Sequence, residues 1–206
     1  MIDQSLEKIV RSLAERSPTP GGGAAAAMVA GLGAALFLMV VRFSQGKKAN
    51  VDRESELAEA ERLLGEMVER LLPMAERDCQ AFDLVSAAYK MAKNTDDEVA
   101  ARSSAIEEAM VGAMSVLEEA FLLIRDVFRT MNEVVTCVGA TIASDLGSGA
   151  ELLKAASESA YMNVRINAQS LKDRELAEST MDRVETVRRE IHDIAAAIRE
   201  VVEKKL

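Results

Sequence analysis

Asp78 stands where an apolar side chain is expected. Apolar or small residues recur at positions 57, 60, 64, 67, 71, 74, 82, 85 and 89. Steps of three and four mark one helical stripe, and the missing beat at position 78 is filled by a carboxylate. An acid in such a place must be paired, hydrogen-bonded or pushed toward its neutral form. Acids of that kind concentrate where protons are moved. The same pattern also fits a buried ion pair with a neighbouring helix, and periodicity alone does not choose between the two.

Three further groups have types and spacings that could do chemistry. Asp145, Gly149, Leu152, Ala156, Ser159, Asn163, Asn167 and Ser170 fall on one side of a helix. In Asn163-Val164-Arg165-Ile166-Asn167, two amides a turn apart and a guanidinium offer donors and acceptors to a polar ligand. Hydrogen bonds between helices are the plainer use of the same residues. Lys47-Lys48, with Arg42 upstream, would either complement a helix C-terminus or attract an anionic ligand at a cleft. Gly21-Gly22-Gly23 precede a helix without a strand or a Walker pattern. They suit close approach of the backbone to a ligand or a packed helix rather than a nucleotide loop.

The elements that must position these groups are all helical. Of the 206 residues 49% are hydrophobic, only 3% are aromatic and none is Trp, while Ala, Met, Glu and Leu abound. Those are helix formers, and strand-type alternation is scarce. An amphipathic helix presents Leu6, Ile9, Val10 and Leu13, and Ser17-Pro18-Thr19-Pro20 stops it. Residues 52 to 92 read as a helix kinked near Pro73. Thr95 with Glu98 forms a capping box for the next helix, which carries Val99, Ile106, Met110, Ala113, Leu117, Phe121, Ile124 and Phe128. Val134 to Ala143 is a shorter apolar stretch, and Asp145, with Ser148 nearby, suits an N-cap. The last helix repeats apolar residues at 184, 187, 191, 194, 198 and 201, a short seam of coiled-coil type. With no internal repeat or linker, residues 1–206 are expected to form one domain of six to eight helices.

The run from Ala24 to Val41 has no charge and is long enough to span a membrane. Its richness in Ala and Gly, its unbiased Arg16 and Arg42 flanks, and the acidic segment before it favour a buried helix of a soluble chain over a membrane span or an export signal. A net charge of −9 disfavours nucleic acid as a partner. Cys79 and Cys137 lack metal-type spacing and read as core thiols in a reducing, cytoplasmic setting. A metal site is not expected, and His192, beside Asp193 on a charged helix, is given no role.

"SPTPGGGAAAAMVAGLGAAL", "QGKK", "ERDCQAFDLVSAAYK" and "SDLGSGAELL…NVRINAQSLKD" occur in that order. Together they make the chain, over roughly residues 5 to 200, resemble the formiminotransferase-cyclodeaminase C-terminal family. The resemblance implies an all-helical homodimer with a folate cleft between helices. It implies action on the one-carbon bridge between N5 and N10 of tetrahydrofolate, as a methenyltetrahydrofolate cyclohydrolase or a formiminotetrahydrofolate cyclodeaminase. No cofactor is implied beyond the folate substrate. Asp78 then matches the family's acid/base aspartate, and Lys47 its Gly-Lys-Lys element, set toward substrate charge or the bridge. Asp145 matches the Ser-Asp element, Asn163 and Asn167, with Arg165 between them, lie on the helix lining the site, and Gly21, Gly22 and Gly23 let the substrate approach the backbone. Gly139-Ala140 stands where Gly-Asn is common, which leaves open a relative that keeps the fold and has lost turnover.

Overall fold

The computed structural model describes residues 3–206. It contains α1 (Leu6–Ala14), α2 (Gly22–Ser44), α3 (Glu54–Leu71), α4 (Met74–Tyr89), α5 (Asp96–Val134), α6 (Ala143–Ser170) and α7 (Arg174–Glu203). Short 3-10 turns cover Lys48–Arg53, Val135–Cys137 and Ala140–Ile142, and no strand occurs among the described residues. The fold is all-α, as composition requires, and buried side chains from α2 to α7 join in one contiguous core. Phe37, Phe121 and Phe128 are fully buried at its centre, where Phe37 and Phe128 meet edge to face with ring centroids 5.8 Å apart.

The charge-free run forms the middle of α2. Its most apolar window has a mean hydropathy of 2.4, and 61% of that window is buried. Helices α3, α4, α5 and α6 surround it on all but one side. Its Ala and Gly content allows close packing on the antiparallel α6: Gly22 lies by Asn163, Gly33 by Leu153, and Phe37 by Gly149. A Cβ on Gly33 would stand 2.6 Å from the Leu153 Cγ and 3.0 Å from the Gly149 carbonyl oxygen. Because one of those neighbours is backbone, the helices would have to separate. Gly33→Ala is therefore expected to cost about 1–3 kcal/mol, read as a lower midpoint in urea denaturation. An unchanged midpoint would show that the crossing tolerates a methyl group.

Gly46, just past α2, takes a left-handed φ of 65°, the helix-terminating conformation that glycine adopts without Cβ strain. Thr95 Oγ1 accepts from the Glu98 N–H at 3.2 Å, and a Glu98 carboxylate oxygen accepts from the Thr95 N–H at 3.3 Å. That is the capping box read from the sequence. Thr95→Ala is expected to destabilise the fold by about 1 kcal/mol, measured by the same denaturation.

Three expectations need correction. The helix expected to kink at Pro73 breaks there into α3 and α4. Proline lacks an N–H and its ring clashes with the preceding turn. The apolar stretch from Val134 holds the end of α5 and the two 3-10 turns that follow it. Asp145 is not an N-cap: α6 begins at Ala143, and Asp145 sits in its first turn, where an acid still complements the helix dipole. Over the expected seam of α7 the buried positions are 184, 187, 191, 195, 198 and 202, while Ile194 and Val201 are only partly buried. The buried positions drift off the heptad toward 3.6 residues per turn, the spacing of a straight amphipathic helix. The N-terminal helix forms, yet it buries none of its residues, and Leu6 and Val10 are exposed.

Candidate active site

A cavity of about 370 Å³ opens where the N-terminus of α2 meets α4, α5 and α6. The turn before α2 supplies Gly21 to Gly23, α4 supplies Asp78, Phe82 and Tyr89, and α6 supplies Asn163 and Asn167. Its size is that of a small-molecule site, mostly apolar with a few convergent polar groups. The Thr19-Pro20 peptide at its rim is cis.

Helical spacing explains the α4 wall. Asp78, Phe82, Val85 and Tyr89 follow one another at four, three and four residues, so one face of α4 looks into the cavity. Opposite, α2 brings its backbone unusually close. A Cβ on Gly23 would lie 2.7 Å from the Asp78 Cγ, so no other residue type fits here without moving the carboxylate. Burial pushes the Asp78 carboxyl above its ordinary value, and the Ala24 N–H offered to it opposes that shift only in part. The ion-pair alternative is not realised. Adjacent Arg77 pairs instead with Glu119, at 2.8 Å.

Asn163 and Asn167 come from successive turns of α6. The Asn163 amide nitrogen donates to the Ser159 carbonyl at 2.8 Å, leaving its oxygen for a ligand. Ser159 in turn donates to the Gly22 carbonyl at 3.3 Å, tying α6 to the glycine turn. Among the described residues, no partner holds the Asn167 amide. The Asn163 bond stays within α6, so hydrogen bonding between helices occupies neither asparagine.

Three of the residues expected at the site lie elsewhere in the chain. Lys47 lies past the far end of α2, and the 21 steps from Gly23 to Ser44 at 1.5 Å each put that end roughly 32 Å from Gly23. Asp145 is at that same end, near the start of α6. Arg165 is exposed and faces a groove between α6 and α7 with Gln169, Arg174 and Met181. A spacing of two residues from Asn163 turns it to the other side of the helix. Cys137 is buried and Cys79 half-buried, both free thiols. His192 is half-buried rather than free on the surface, its Nε2 lying 2.6 Å from a Glu158 oxygen that also belongs to the Arg188 pair. Among the described residues no three His, Cys, Asp or Glu side chains cluster as metal ligands.

Sequence reasoning missed the apolar walls. Phe82, Val85, Tyr89, Met110, Ala113 and Leu117 look like core, having the right period and type, but they line the cavity. The available signal was the register of the first three with Asp78: whatever shares a stripe with a functional carboxylate shares its cavity.

A family model described as formiminotransferase-cyclodeaminase matches residues 5–186, a span holding the glycine turn, Asp78 and both asparagines. The chain belongs to the formiminotransferase-cyclodeaminase family. It is 34% identical over 204 residues to the methenyltetrahydrofolate cyclohydrolase of Methylorubrum extorquens, covering 99% of this chain and 98% of that one. It is 30% identical over 198 residues to the formimidoyltransferase-cyclodeaminase of Rattus norvegicus, covering 96% of this chain and 37% of that longer protein. The crystal structure of formiminotetrahydrofolate cyclodeaminase from Thermotoga maritima superposes with a TM-score of 0.88 at 26% identity, over 98% of this chain and 97% of that one.

Proposed function

We propose that this chain is a folate one-carbon enzyme that hydrolyses the methenyl bridge of tetrahydrofolate, with Asp78 as the proton shuttle. The observation that carries the reading is Asp78 itself: a half-buried carboxylate with no cationic partner, in a cavity walled by aromatic and amide side chains. The full-length likeness to a cyclohydrolase supports the choice of reaction.

The bridge carbon between N5 and N10 is electron-poor and shares one positive charge with both nitrogens. A carboxylate beside it stabilises that charge and takes a proton from attacking water. The water oxygen bonds to the carbon, giving a tetrahedral centre, and Asp78 holds the proton. The C–N5 bond then breaks as Asp78 returns the proton to N5. The hydroxyl proton leaves to solvent as the C=O bond forms, so 10-formyltetrahydrofolate and one net proton result. A raised carboxyl pKa suits both halves of this exchange, since the acid form must be accessible near working pH. Phe82 and Tyr89 offer faces for flat rings, and Asn163 and Asn167 offer amide edges to a heterocycle.

Formiminotetrahydrofolate cyclodeaminase is the second reading, favoured by the structural likeness. There N10 attacks the formimino carbon and ammonia departs, which needs a proton at the same place. We take the enzyme to act as a homodimer. The test is direct: purified protein is given methenyltetrahydrofolate, then formiminotetrahydrofolate, and absorbance of the methenyl group is followed against buffer. Loss of the first signal beyond the spontaneous rate supports hydrolysis, and growth of the signal from the second supports deamination. Neither change, with calorimetry showing no folate binding, would leave a helical relative without turnover.

A further inference from the structure

The Asp78 cavity has no cation along its lining, yet a folate substrate ends in a glutamate that carries two carboxylates. From Asp78 the α4 wall runs eleven residues to Tyr89, and from Asn163 the α6 wall runs seven to Ser170. At 1.5 Å per residue, Tyr89 stands roughly 16 Å from Asp78 along the helix. In the substrate, N10, a benzene ring and an amide part the bridge carbon from the carboxylates, roughly 10–14 Å of ordinary bonds. A substrate lying along this wall with its bridge at Asp78 brings its carboxylates to the Tyr89 end. The opposite rim, formed by Pro18, Thr19 and the glycines, is uncharged.

Two cations stand just outside the Tyr89 end. Arg102, near the start of α5, donates to the Tyr89 carbonyl through Nε at 3.3 Å and Nη2 at 3.0 Å. The centre of its guanidinium lies 5.6 Å from the Tyr89 ring centroid, within cation–π range. Lys172, two residues past Ser170, donates from Nζ to the Ser103 hydroxyl. The two cations are thus held at adjacent positions of α5, one beside the α4 wall and one beside the α6 wall. Glu107, the nearest acid, accepts the backbone N–H groups of Lys172 and Asp173 at 2.8 and 3.0 Å, which fixes the turn after α6.

Neither cation is spent on a carboxylate side chain. Other arginines pair with acids, as Arg77 does with Glu119 and Arg188 with Glu158. Among the described residues Arg102 and Lys172 have no ion-pair partner, although acids outnumber bases by 34 to 25. Arg102 is also half-buried, and its Nη1 makes no hydrogen bond. A half-buried guanidinium fixed in place with donors to spare suits an anion brought by a ligand.

We propose that Arg102 and Lys172 form the subsite for the glutamate carboxylates of the substrate, and that Arg102 also holds the Tyr89 ring as the wall beside the benzoyl group. The proposal rests on the folate reading above and gives that site its anion-binding end.

Removing the carboxylates from either side tests it. Methenyltetrahydrofolate and its pteroate analogue, the same molecule without the glutamate, are given to wild type, Arg102→Met and Lys172→Met, each checked by circular dichroism. On the folate, KM is expected to rise about tenfold in Arg102→Met and about threefold in the exposed Lys172→Met, with kcat nearly unchanged. Wild type is expected to bind the pteroate analogue about thirtyfold more weakly, the product of the two losses. On that analogue Lys172→Met is expected to match wild type, Arg102→Met to lose no more than about threefold through Tyr89, and Arg102→Lys to recover part of the loss on the folate. Equal losses on both substrates would make Arg102 a support of α4 and overturn the subsite, as would equal KM values for the two substrates in wild type. Turnover persists in both cases, so the folate reading stands. If Arg102→Met does not fold, wild type and Lys172→Met with the two substrates decide. Neither turnover nor calorimetric binding of either substrate by wild type would overturn the folate reading and the subsite together.

Discussion

Asp78→Asn is expected to lower turnover by about 10²–10⁴-fold, the range for loss of a positioned acid or base, with substrate affinity changed only a few-fold. Asparagine keeps the shape and the acceptor facing the Ala24 N–H, but it neither takes a proton from water nor returns one to N5. The same change is expected to raise the thermal midpoint. Burial raises the Asp78 pKa in the folded state, so the folded protein binds this proton more tightly than the unfolded chain. The stability linked to it is present in full below the ordinary value of 3.8 and is lost as pH rises through the folded pKa. At neutral pH the ionised carboxylate therefore costs stability, and the neutral amide removes that cost. A variant both inactive and less stable would mark Asp78 as a structural residue instead. Activity and scanning calorimetry on one preparation distinguish the two.

Gly23→Ala should have the second largest effect, on a residue with no side chain to do chemistry. The added Cβ would fall 2.7 Å from both the Asp78 Cγ and its Oδ2. The helix start is fixed by packing on α6, so the short Asp78 side chain is what gives way. A displacement of about 1 Å at a reacting group is worth roughly 10² in rate, while overpacking at the cavity edge costs no more than about 1–3 kcal/mol. Turnover is expected to fall roughly a hundredfold with the fold intact. Near-normal rates for Gly23→Ala would mean that the close approach of α2 does not position the carboxylate.

Much of this architecture is legible in the sequence because local chemistry dictates it. The capping box at Thr95 needs only two side chains three residues apart, and the α4 stripe with its one acidic beat needs only helical periodicity. Position 78 stood out because a carboxylate on an apolar stripe has no cheap explanation. What local patterns do not carry is which apolar face meets protein and which meets a cavity. Phe82, Tyr89 and Leu117 have the same period as Phe121 and Phe128, yet the first three line open space while the last two are fully packed. Nor does order along the chain report distance. Lys47 follows the glycine turn closely in sequence, but a rigid helix of 23 residues separates them. Arg165 failed for a simpler reason: lying between two site asparagines, it must face away from them on a helix. The α7 seam failed because about five turns do not separate a period of 3.5 from one of 3.6.

The measurement bearing most directly on Asp78 as proton shuttle is the pH dependence of kcat for methenyltetrahydrofolate hydrolysis, in wild type and Asp78→Asn side by side. Water loses its proton to an ionised carboxylate, so the wild-type rate is expected to fall as pH drops through the Asp78 pKa, along an acid limb centred above the ordinary 3.8. The residual rate of Asp78→Asn is expected to lack that limb. The same limb in both proteins, or equal rates across the range, would contradict the assignment.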